Sequence, residues 1–266
     1  MKPGAARTLL LVLALLAGPI PASAALCEVE DFETRVSGQT ECLLMRRYGS
    51  ATPTTMLVWL HGNVSTGGPA NSHFRVAQQA AADLAAGHVL SVALVRPGYP
   101  DGTGAYSSGS DNGRIDNWTH AVVAEIGTVI ARLRNRFRPQ TVILIGHSGG
   151  AAIAASLLGM KPELAGAAIL IGCPCDMQAW RVGRSRMPWR SEDPMNWVSS
   201  VTAGTRVIAL TGSLDTTTAP SLAGDYAARL RSHGIAAEFR LVPDAGHVDI
   251  LGSPTITAAV SELIGR

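Results

Sequence analysis

Short apolar runs alternate with longer alanine- and leucine-rich segments along this chain, and loops rich in glycine and serine separate them. Runs of aliphatic and β-branched residues predict buried strands, whereas apolar residues at helical spacing predict amphipathic helices. The predicted strands are 54–60, 89–95, 141–146, 167–172, 207–211 and 237–242, and the predicted helices are 77–86, 118–137, 151–158, 219–231 and 255–264. Two weaker runs, 29–36 and 41–48, predict a short antiparallel pair.

The regular alternation of strand and helix predicts an α/β fold. Such a pattern requires right-handed crossovers and a mostly parallel sheet with helices on both faces. We expect one domain over residues 25–266, since 47% of the 266 residues are hydrophobic and no linker divides them. Proline, arginine and three tryptophans interrupt the pattern at about 173–201, which predicts a cap inserted beside the site.

The strand at 141–146 leads into Gly146-His147-Ser148-Gly149-Gly150 and then a helix. This strand–turn–helix context of G-x-S-x-G predicts a nucleophile elbow with Ser148 at its tip. Glycines flank the serine because the turn is too sharp for β-carbons to fit around it. The motif alone also occurs by chance in glycine-rich loops, so the prediction depends on its context.

A nucleophilic serine needs an imidazole to take its proton and a carboxylate to orient that imidazole. His247 follows the last predicted strand and Asp215 follows the strand before it, in the order serine, acid, histidine. Asp176 is the main rival for the acid. Asp244 and Asp249 are further rivals, although their closeness to His247 in sequence favours a role in shaping its loop.

The tetrahedral intermediate needs two donors for its oxyanion. The backbone N–H of Gly149, directly after the nucleophile, is one expected donor. The second is expected from the loop after the strand 54–60, where the amide of either Asn63 or Val64 follows His61-Gly62. No metal or organic cofactor is implied. Metal binding by Cys173 and Cys175 is disfavoured, because they have no partner pair of Cys or His at zinc spacing.

The N-terminus has a basic end, an apolar run over 9–17 and the sequence Ala22-Ser23-Ala24. These features predict a secretory signal peptide over residues 1–24, with a membrane anchor or a lipoprotein at Cys27 as alternatives. Without Lys2 and Arg7 the chain has 20 basic and 20 acidic residues. That balance argues against nucleic acid or an anionic membrane as the ligand.

Export makes the four cysteines, all of which follow the leader, candidates for disulfides. Three pairings are possible. A Cys27–Cys42 bridge is favoured, while Cys173 and Cys175 form either a local bridge or two thiols. We therefore expect a protein that is secreted or periplasmic and not stably inserted in a membrane.

The elbow Gly146–Gly150, the His61-Gly62 loop, Asp215 and His247 resemble the α/β-hydrolase fold superfamily. The likeness is greatest to its small members related to the prolyl-oligopeptidase and dienelactone-hydrolase branch, and it extends from about residue 54 to the end. It implies the α/β-hydrolase fold and a serine hydrolase. Esterases, lipases, thioesterases and peptidases share these residues, so the substrate class stays open. A serine stands where dienelactone hydrolases have a cysteine.

We interpret the chain as an exported serine hydrolase acting on small-molecule carboxylic esters. A small exopeptidase or amidase, or a binding protein that has lost turnover, are the alternatives. Arg96 and Tyr99 follow the strand 89–95 and are candidates for substrate binding. Arg96 could bind a substrate carboxylate or could instead pair with Asp101. Trp180 of the cap is a candidate for an apolar pocket wall. The sequence does not indicate an oligomeric state.

Overall fold

A computed structural model describes Met1, residues 27–184 and residues 188–265 of the chain. Within these ranges eight strands form one sheet in the order β1-β2-β4-β3-β5-β6-β7-β8. Strand β2 runs antiparallel to β1 and β4, and the remaining pairs are parallel. The strands are β1 (Arg35–Ser37), β2 (Cys42–Gly49), β3 (Thr55–Leu60), β4 (Val89–Leu94), β5 (Thr141–His147), β6 (Ala167–Ile171), β7 (Arg206–Gly212) and β8 (Ala236–Val242).

The described residues also form six α-helices, five between strands and the last after β8: α1 (Ser72–Asp83), α2 (His120–Phe137), α3 (Gly149–Met160), α4 (Met177–Arg181), α5 (Pro220–Ser232) and α6 (Pro254–Ile264). Together with the sheet order they form the α/β-hydrolase fold expected from the sequence. Helix α1 begins five residues before the predicted start at residue 77. Its first turn was hidden in the sequence because its buried face begins with a polar residue, His73.

The first predicted strand was too long. We expected a strand over 29–36, but β1 has only the three residues Arg35–Ser37. The carboxylate of Asp31 accepts hydrogen bonds from the backbone N–H groups of Glu33, Thr34 and Arg35 at 2.7–2.9 Å. These N–H groups are therefore used within a local turn, whereas in a strand they would be available to bond the neighbouring strand.

The core has two layers, one on each face of the sheet. Helices α2, α3 and α5 pack on one face, and α1 and α6 pack on the other. Helix α3 is buried from Gly149 to Gly159. A β-carbon at Gly159 would lie 2.3 Å from the carbonyl oxygen of Trp197, which belongs to a 3-10 helix, Pro194–Ser200. The segment 173–201 is thus packed directly on the helix that follows Ser148.

Two disulfides join Cys27 to Cys42 and Cys173 to Cys175, with Cα atoms 4.9 and 5.0 Å apart. The first ties the N-terminal arm to β2. The second is a local bridge at the end of β6, where the sequence left two thiols as an alternative.

The predicted signal peptide, residues 1–24, lies outside the described residues apart from Met1. Across 27–184 and 188–265, no helix has the length and apolar character that crossing a bilayer requires.

Candidate active site

Ser148 occupies the sharp turn between β5 and α3. Its backbone has φ 53° and ψ −122°, a strained conformation for a residue with a β-carbon. Its N–H donates to the carbonyl oxygen of Ile171 on the neighbouring strand at 2.8 Å. A β-carbon at Gly150 would lie 2.2 Å from the carbonyl oxygen of Leu60, and one at Gly146 would lie 2.3 Å from that of Gly150. The two glycines therefore allow the helix to start against β3 and β5.

His247 and Asp215 meet at the same edge of the sheet, from the loops after β8 and β7. Nδ1 of His247 donates to Oδ2 of Asp215 at 2.8 Å, since an ionised carboxylate can only accept. In neutral His247 this leaves Nε2 as the proton acceptor. A β-carbon at Gly172, just after β6, would lie 3.2 Å from Nδ1 of His247, so the end of β6 packs directly on this pair.

The Asp215 carboxylate is held in its charged form. Its side chain is fully buried, and Oδ1 accepts the N–H groups of Thr217 and Thr218, both at 2.8 Å. The Thr218 hydroxyl donates to Oδ2 at 2.7 Å. Burial alone would raise the pKa of Asp215, but the hydrogen bonds from His247 and Thr218 outweigh it and lower the pKa to about 2.

Two of the three rival aspartates make local structural contacts, and the third is an exposed turn residue. Asp176 accepts the N–H of Ala179 at 2.8 Å and so caps α4. Asp249 accepts the N–H of Gly246 at 3.0 Å. Asp244 is an exposed turn residue with φ 56°. The last two aspartates thus belong to the loop around His247.

His147 is hydrogen-bonded to the backbone of the loop that carries His247. Its Nε2 donates to the carbonyl oxygen of His247 at 2.7 Å, and the two rings lie 4.8 Å apart. Burial and the neighbouring His247 lower the pKa of His147 to about 4, so this side chain is neutral near pH 7. It contributes a fixed hydrogen bond to the loop that carries His247.

The loop after β3 approaches the nucleophile closely. A β-carbon at Gly62 would lie 2.9 Å from Cβ of Ser148. His61 is buried; its Nδ1 donates to the carbonyl oxygen of Gly62 at 2.7 Å, and its Nε2 accepts the N–H of Arg96 at 2.9 Å. Burial, with the positive charge of Arg96, lowers the pKa of His61 well below its ordinary range. His61 therefore orients the loop in its neutral form.

The predicted contact of Arg96 and Tyr99 with substrate needs correction. Each is only 1% exposed. Arg96 donates through Nη1 to the carbonyl oxygen of His61 and to Oδ1 of Asn63, both at 3.1 Å, and through Nη2 to Oδ1 of Asn117. The hydroxyl of Tyr99 accepts from Nδ2 of Asn117 at 2.6 Å. Both residues stand behind the loop, and neither contributes to the cavity wall.

A cavity of about 580 Å³, here called the serine cavity, opens over Ser148 and His247. Asn63 and Val64 form one side of it, and Trp180, the third candidate for substrate binding, stands on the wall formed by the cap. As the first residue of α3, Gly149 has a backbone N–H with no helical carbonyl to bond. The N-terminal end of α3 thus presents free donors beside Ser148, where negative charge is favoured.

Sequence reasoning missed several residues around the cavity. Arg114 donates to the carbonyl oxygens of Val64 at 3.0 Å and Gly68 at 3.1 Å, and so fixes the loop after β3. Trp118 also lines the cavity, although the sequence pattern indicated only the start of a helix there. Thr217 and Thr218 could have been predicted as partners of Asp215, because an Asp followed two and three residues later by Thr favours an Asx-type turn.

Within the described ranges, no group of three or more His, Cys, Asp or Glu side chains is arranged to hold a metal ion.

The sheet order and the elbow serine define a serine hydrolase with the α/β-hydrolase fold. The sequence profile of the family described as serine aminopeptidase, S33, matches residues 55–233. Since that is more than half of the chain, the protein belongs to the serine aminopeptidase S33 family. No curated protein matches the sequence.

Solved structures of similar fold include two esterases and a peptidase. An esterase from Butyrivibrio proteoclasticus, solved with ferulic acid bound, has a TM-score of 0.65 at 14% identity over 86% of this chain and 97% of its own. An esterase from Pyrococcus furiosus has a TM-score of 0.65 at 15% identity, over 87% and 89%. A proline iminopeptidase from Mycobacterium smegmatis has 0.63 at 14%, over 87% and 97%. At such identities the likeness concerns the fold.

Proposed function

We propose that this serine hydrolase cleaves small carboxylic esters through an acyl-enzyme, with Ser148 as nucleophile, His247 as acid and base, and Asp215 as the residue that orients His247. The 2.8 Å hydrogen bond between His247 and Asp215 supports these roles, because it directs Nε2 of the imidazole away from the carboxylate. The strained turn at Ser148 and the neutral His147 beneath His247 support them as well.

The reaction has two halves. Nε2 of His247 takes the proton of the Ser148 hydroxyl as Oγ attacks the ester carbonyl, and the resulting oxyanion is received by the N–H groups of Gly149 and of Asn63 or Val64. Collapse of this intermediate breaks the bond to the alcohol, which leaves with the proton from His247. Water then attacks the acyl-enzyme with His247 again as base, and the carboxylic acid leaves Ser148.

One observation favours esters over peptides with a free amino terminus. No Asp or Glu lines the serine cavity among the described residues. Residues 2–26, 185–187 and 266, which the structure does not describe, contain no Asp or Glu either. An aminopeptidase has to hold a protonated amine, and a desolvated cation needs a carboxylate partner. An uncharged ester has no such requirement.

The alternative activity is that of a small exopeptidase or amidase with the same residues. Membership in the serine aminopeptidase S33 family favours it. Amide cleavage makes an additional demand, because His247 must protonate a poor leaving group. A non-catalytic binding protein is a third hypothesis, and the hydrogen bonds that hold the Asp215 carboxylate and orient His247 argue against it.

The proposal includes export, with cleavage after Ala24 and a final location in the periplasm or outside the cell. The leader sequence supports it, as do two disulfides, which persist in oxidising compartments. N-terminal sequencing of protein recovered outside the cytoplasm tests this part. A mature chain that begins at Ala25 is expected, and an intact Met1 would contradict it.

Labelling with a fluorophosphonate probe tests the mechanism. The purified wild type should be labelled and Ser148→Ala should not, whereas a folded wild type that resists the probe would favour a binding protein. L-Alanine methyl ester and N-acetyl-L-alanine methyl ester then separate the two activities. We expect the acetylated ester to be cleaved at least as fast, and a strong preference for the free amine would favour the aminopeptidase.

A further inference from the structure

Three indole rings form one wall of the serine cavity. Trp118 precedes α2, while Trp180 and Trp189 come from the segment between β6 and β7. The ring centroids of Trp118 lie 6.1 Å from those of Trp180 and 6.3 Å from those of Trp189, and Trp180 and Trp189 are 5.6 Å apart. We call these three residues the tryptophan wall.

Resting on the proposed function, we propose that the ester cleaved at this site carries a planar aromatic ring that packs on the tryptophan wall. The wall begins directly beside the reacting groups. A β-carbon at Gly149, the residue after the nucleophile, would lie 3.0 Å from Cζ3 of the Trp118 ring. A ring three or four bonds from the ester carbonyl carbon therefore reaches the wall while the carbonyl is at Ser148.

The wall is held in place before substrate arrives. Nε1 of Trp118 donates to the carbonyl oxygen of Glu192 at 3.2 Å, and Nε1 of Trp180 donates to that of Thr217 at 2.9 Å. Because both indole N–H groups are used within the protein, the half-buried ring of Trp180 offers aromatic surface to the cavity, and the ring of Trp118, which is 1% exposed, packs behind it. These two side chains therefore lose little further conformational entropy when the substrate binds.

The same segment contains a tryptophan with a purely structural position. Nε1 of Trp197 donates to Oε2 of Glu192 at 2.9 Å, and its backbone packs on Gly159 of α3, away from the cavity. All three tryptophan side chains of this segment are half-buried, but only Trp180 and Trp189 line the cavity. Aromatic rings bind such surfaces with a preference over saturated groups of equal size, through offset stacking and edge-to-face contact.

The charged side chains around the cavity restrict the class of aromatic ester further. The guanidinium of Arg184 lies 4.9 Å from the ring centroid of Trp180, and that of Arg181 lies 5.5 Å from the ring centroid of Trp189. Arg114 also lines the cavity, where it is paired with Asp111 at 2.8 Å, whereas no carboxylate lines the cavity among the described residues. The aromatic group is therefore neutral or anionic, and a cationic ring is disfavoured.

Two matched ester pairs test the inference. Methyl 3-phenylpropanoate and methyl 3-cyclohexylpropanoate differ only in the ring on the acyl side, and 2-phenylethyl acetate and 2-cyclohexylethyl acetate differ only on the alcohol side. Within each pair the reacting carbonyl is chemically equivalent. We expect kcat/KM to be about 3- to 10-fold higher for the phenyl member of at least one pair, from the usual strength of aromatic contacts. That pair identifies the side of the ester that carries the ring.

Two variants test whether the phenyl preference arises at the tryptophan wall. Trp180→Leu should reduce the phenyl preference toward unity while the cyclohexyl ester is still cleaved, and Trp197→Phe should leave the preference unchanged. Equal rates within both pairs of the wild type, or faster cleavage of the cyclohexyl members, would overturn the inference and leave ester hydrolysis intact. No cleavage of any of the four esters, together with an unlabelled Ser148, would overturn both proposals.

Discussion

The guanidinium of Arg96 donates a 3.1 Å hydrogen bond to Oδ1 of Asn63, one of the two residues proposed to receive the oxyanion. The guanidinium also donates to the carbonyl oxygen of His61 and to Oδ1 of Asn117, and both of these acceptors are neutral as well. The positive charge of Arg96 is thus buried behind this loop on acceptors that do not cancel it. A buried charge acts strongly over short distances, and this one favours negative charge on the other side of the loop.

Replacing Arg96 should therefore affect turnover more than binding. We expect Arg96→Met to lower kcat by about 100-fold with little change in KM, because the oxyanion exists only after attack. Arg96→Lys keeps the charge but loses the forked hydrogen bonds, so it should recover part of the loss. Steady-state kinetics on one ester, with unfolding curves to confirm folding, provide the measurement. A raised KM at unchanged kcat would instead support direct contact with substrate.

Thr218 should matter through Asp215. Its hydroxyl donates to Oδ2 of Asp215 at 2.7 Å and lies 3.2 Å from Nδ1 of His247. Thr218→Val keeps the shape and removes this donor, so we expect kcat to fall by about 10-fold, corresponding to one hydrogen bond to a charged group. Thr217→Val is the matched control, because Thr217 contacts Asp215 through its backbone N–H, which the substitution retains. Equal losses in both variants would contradict this role.

The bridge between Cys27 and Cys42 should stabilise the N-terminal arm. It closes a loop with a sequence separation of 15. Closing such a loop restricts the unfolded chain and raises the free energy of unfolding by about 3 kcal/mol. The double variant Cys27→Ser and Cys42→Ser should lower the free energy of unfolding by that amount and leave kcat/KM intact, since neither cysteine lines the serine cavity. A loss below about 1 kcal/mol would indicate that other contacts, such as the 2.5 Å ion pair of Glu30 with Arg132, already hold the arm.

Stability should fall in mild acid because of buried neutral histidines. Burial lowers the pKa of both His73 and His147 from 6.5 to about 4. As the pH falls below 6.5 the unfolded chain takes up these protons first, so stability is lost between about pH 6.5 and pH 4 and is constant above.

A single variant isolates one of these groups. His73→Gln can retain the donor to the carbonyl oxygen of Leu94 and cannot titrate. Between pH 7.5 and pH 4.5 it should lose about 2 to 3 kcal/mol less than the wild type in urea unfolding. The carboxylate of Asp215, with its pKa lowered to about 2, contributes only below this window. Parallel pH dependences of the two proteins would contradict the assignment.

The placement of the three candidate catalytic residues at one edge of the sheet was predictable from the strand ends. Ser148, Asp215 and His247 each follow an apolar run, and parallel strands bring such ends to one edge of a sheet. The turn at Asp215 could also have been recognised, since Thr217 and Thr218 follow the aspartate at the spacing of a side-chain-capped turn. The local sequence therefore contained enough information for these positions.

The position of Arg96 was not predictable in the same way. An arginine at a strand end is normally exposed, and its burial depends on His61, Asn63 and Asn117, which lie 35, 33 and 21 residues away in the sequence. The position of Trp118 in the wall likewise depends on its contact with Trp180, which is distant in the sequence. Contacts of this range are set by how loops pack, which no local pattern encodes.

The proposed reacting groups and the recognition surface come from different parts of the chain. Ser148, Asp215 and His247 are anchored to β5, β7 and β8, whereas two of the three rings of the tryptophan wall belong to the single segment between β6 and β7. Sequence change in that one segment can therefore alter which molecules are accepted without disturbing the sheet. For protein engineering, exchanging this segment between relatives is the most economical route to new substrate preferences on an unchanged scaffold.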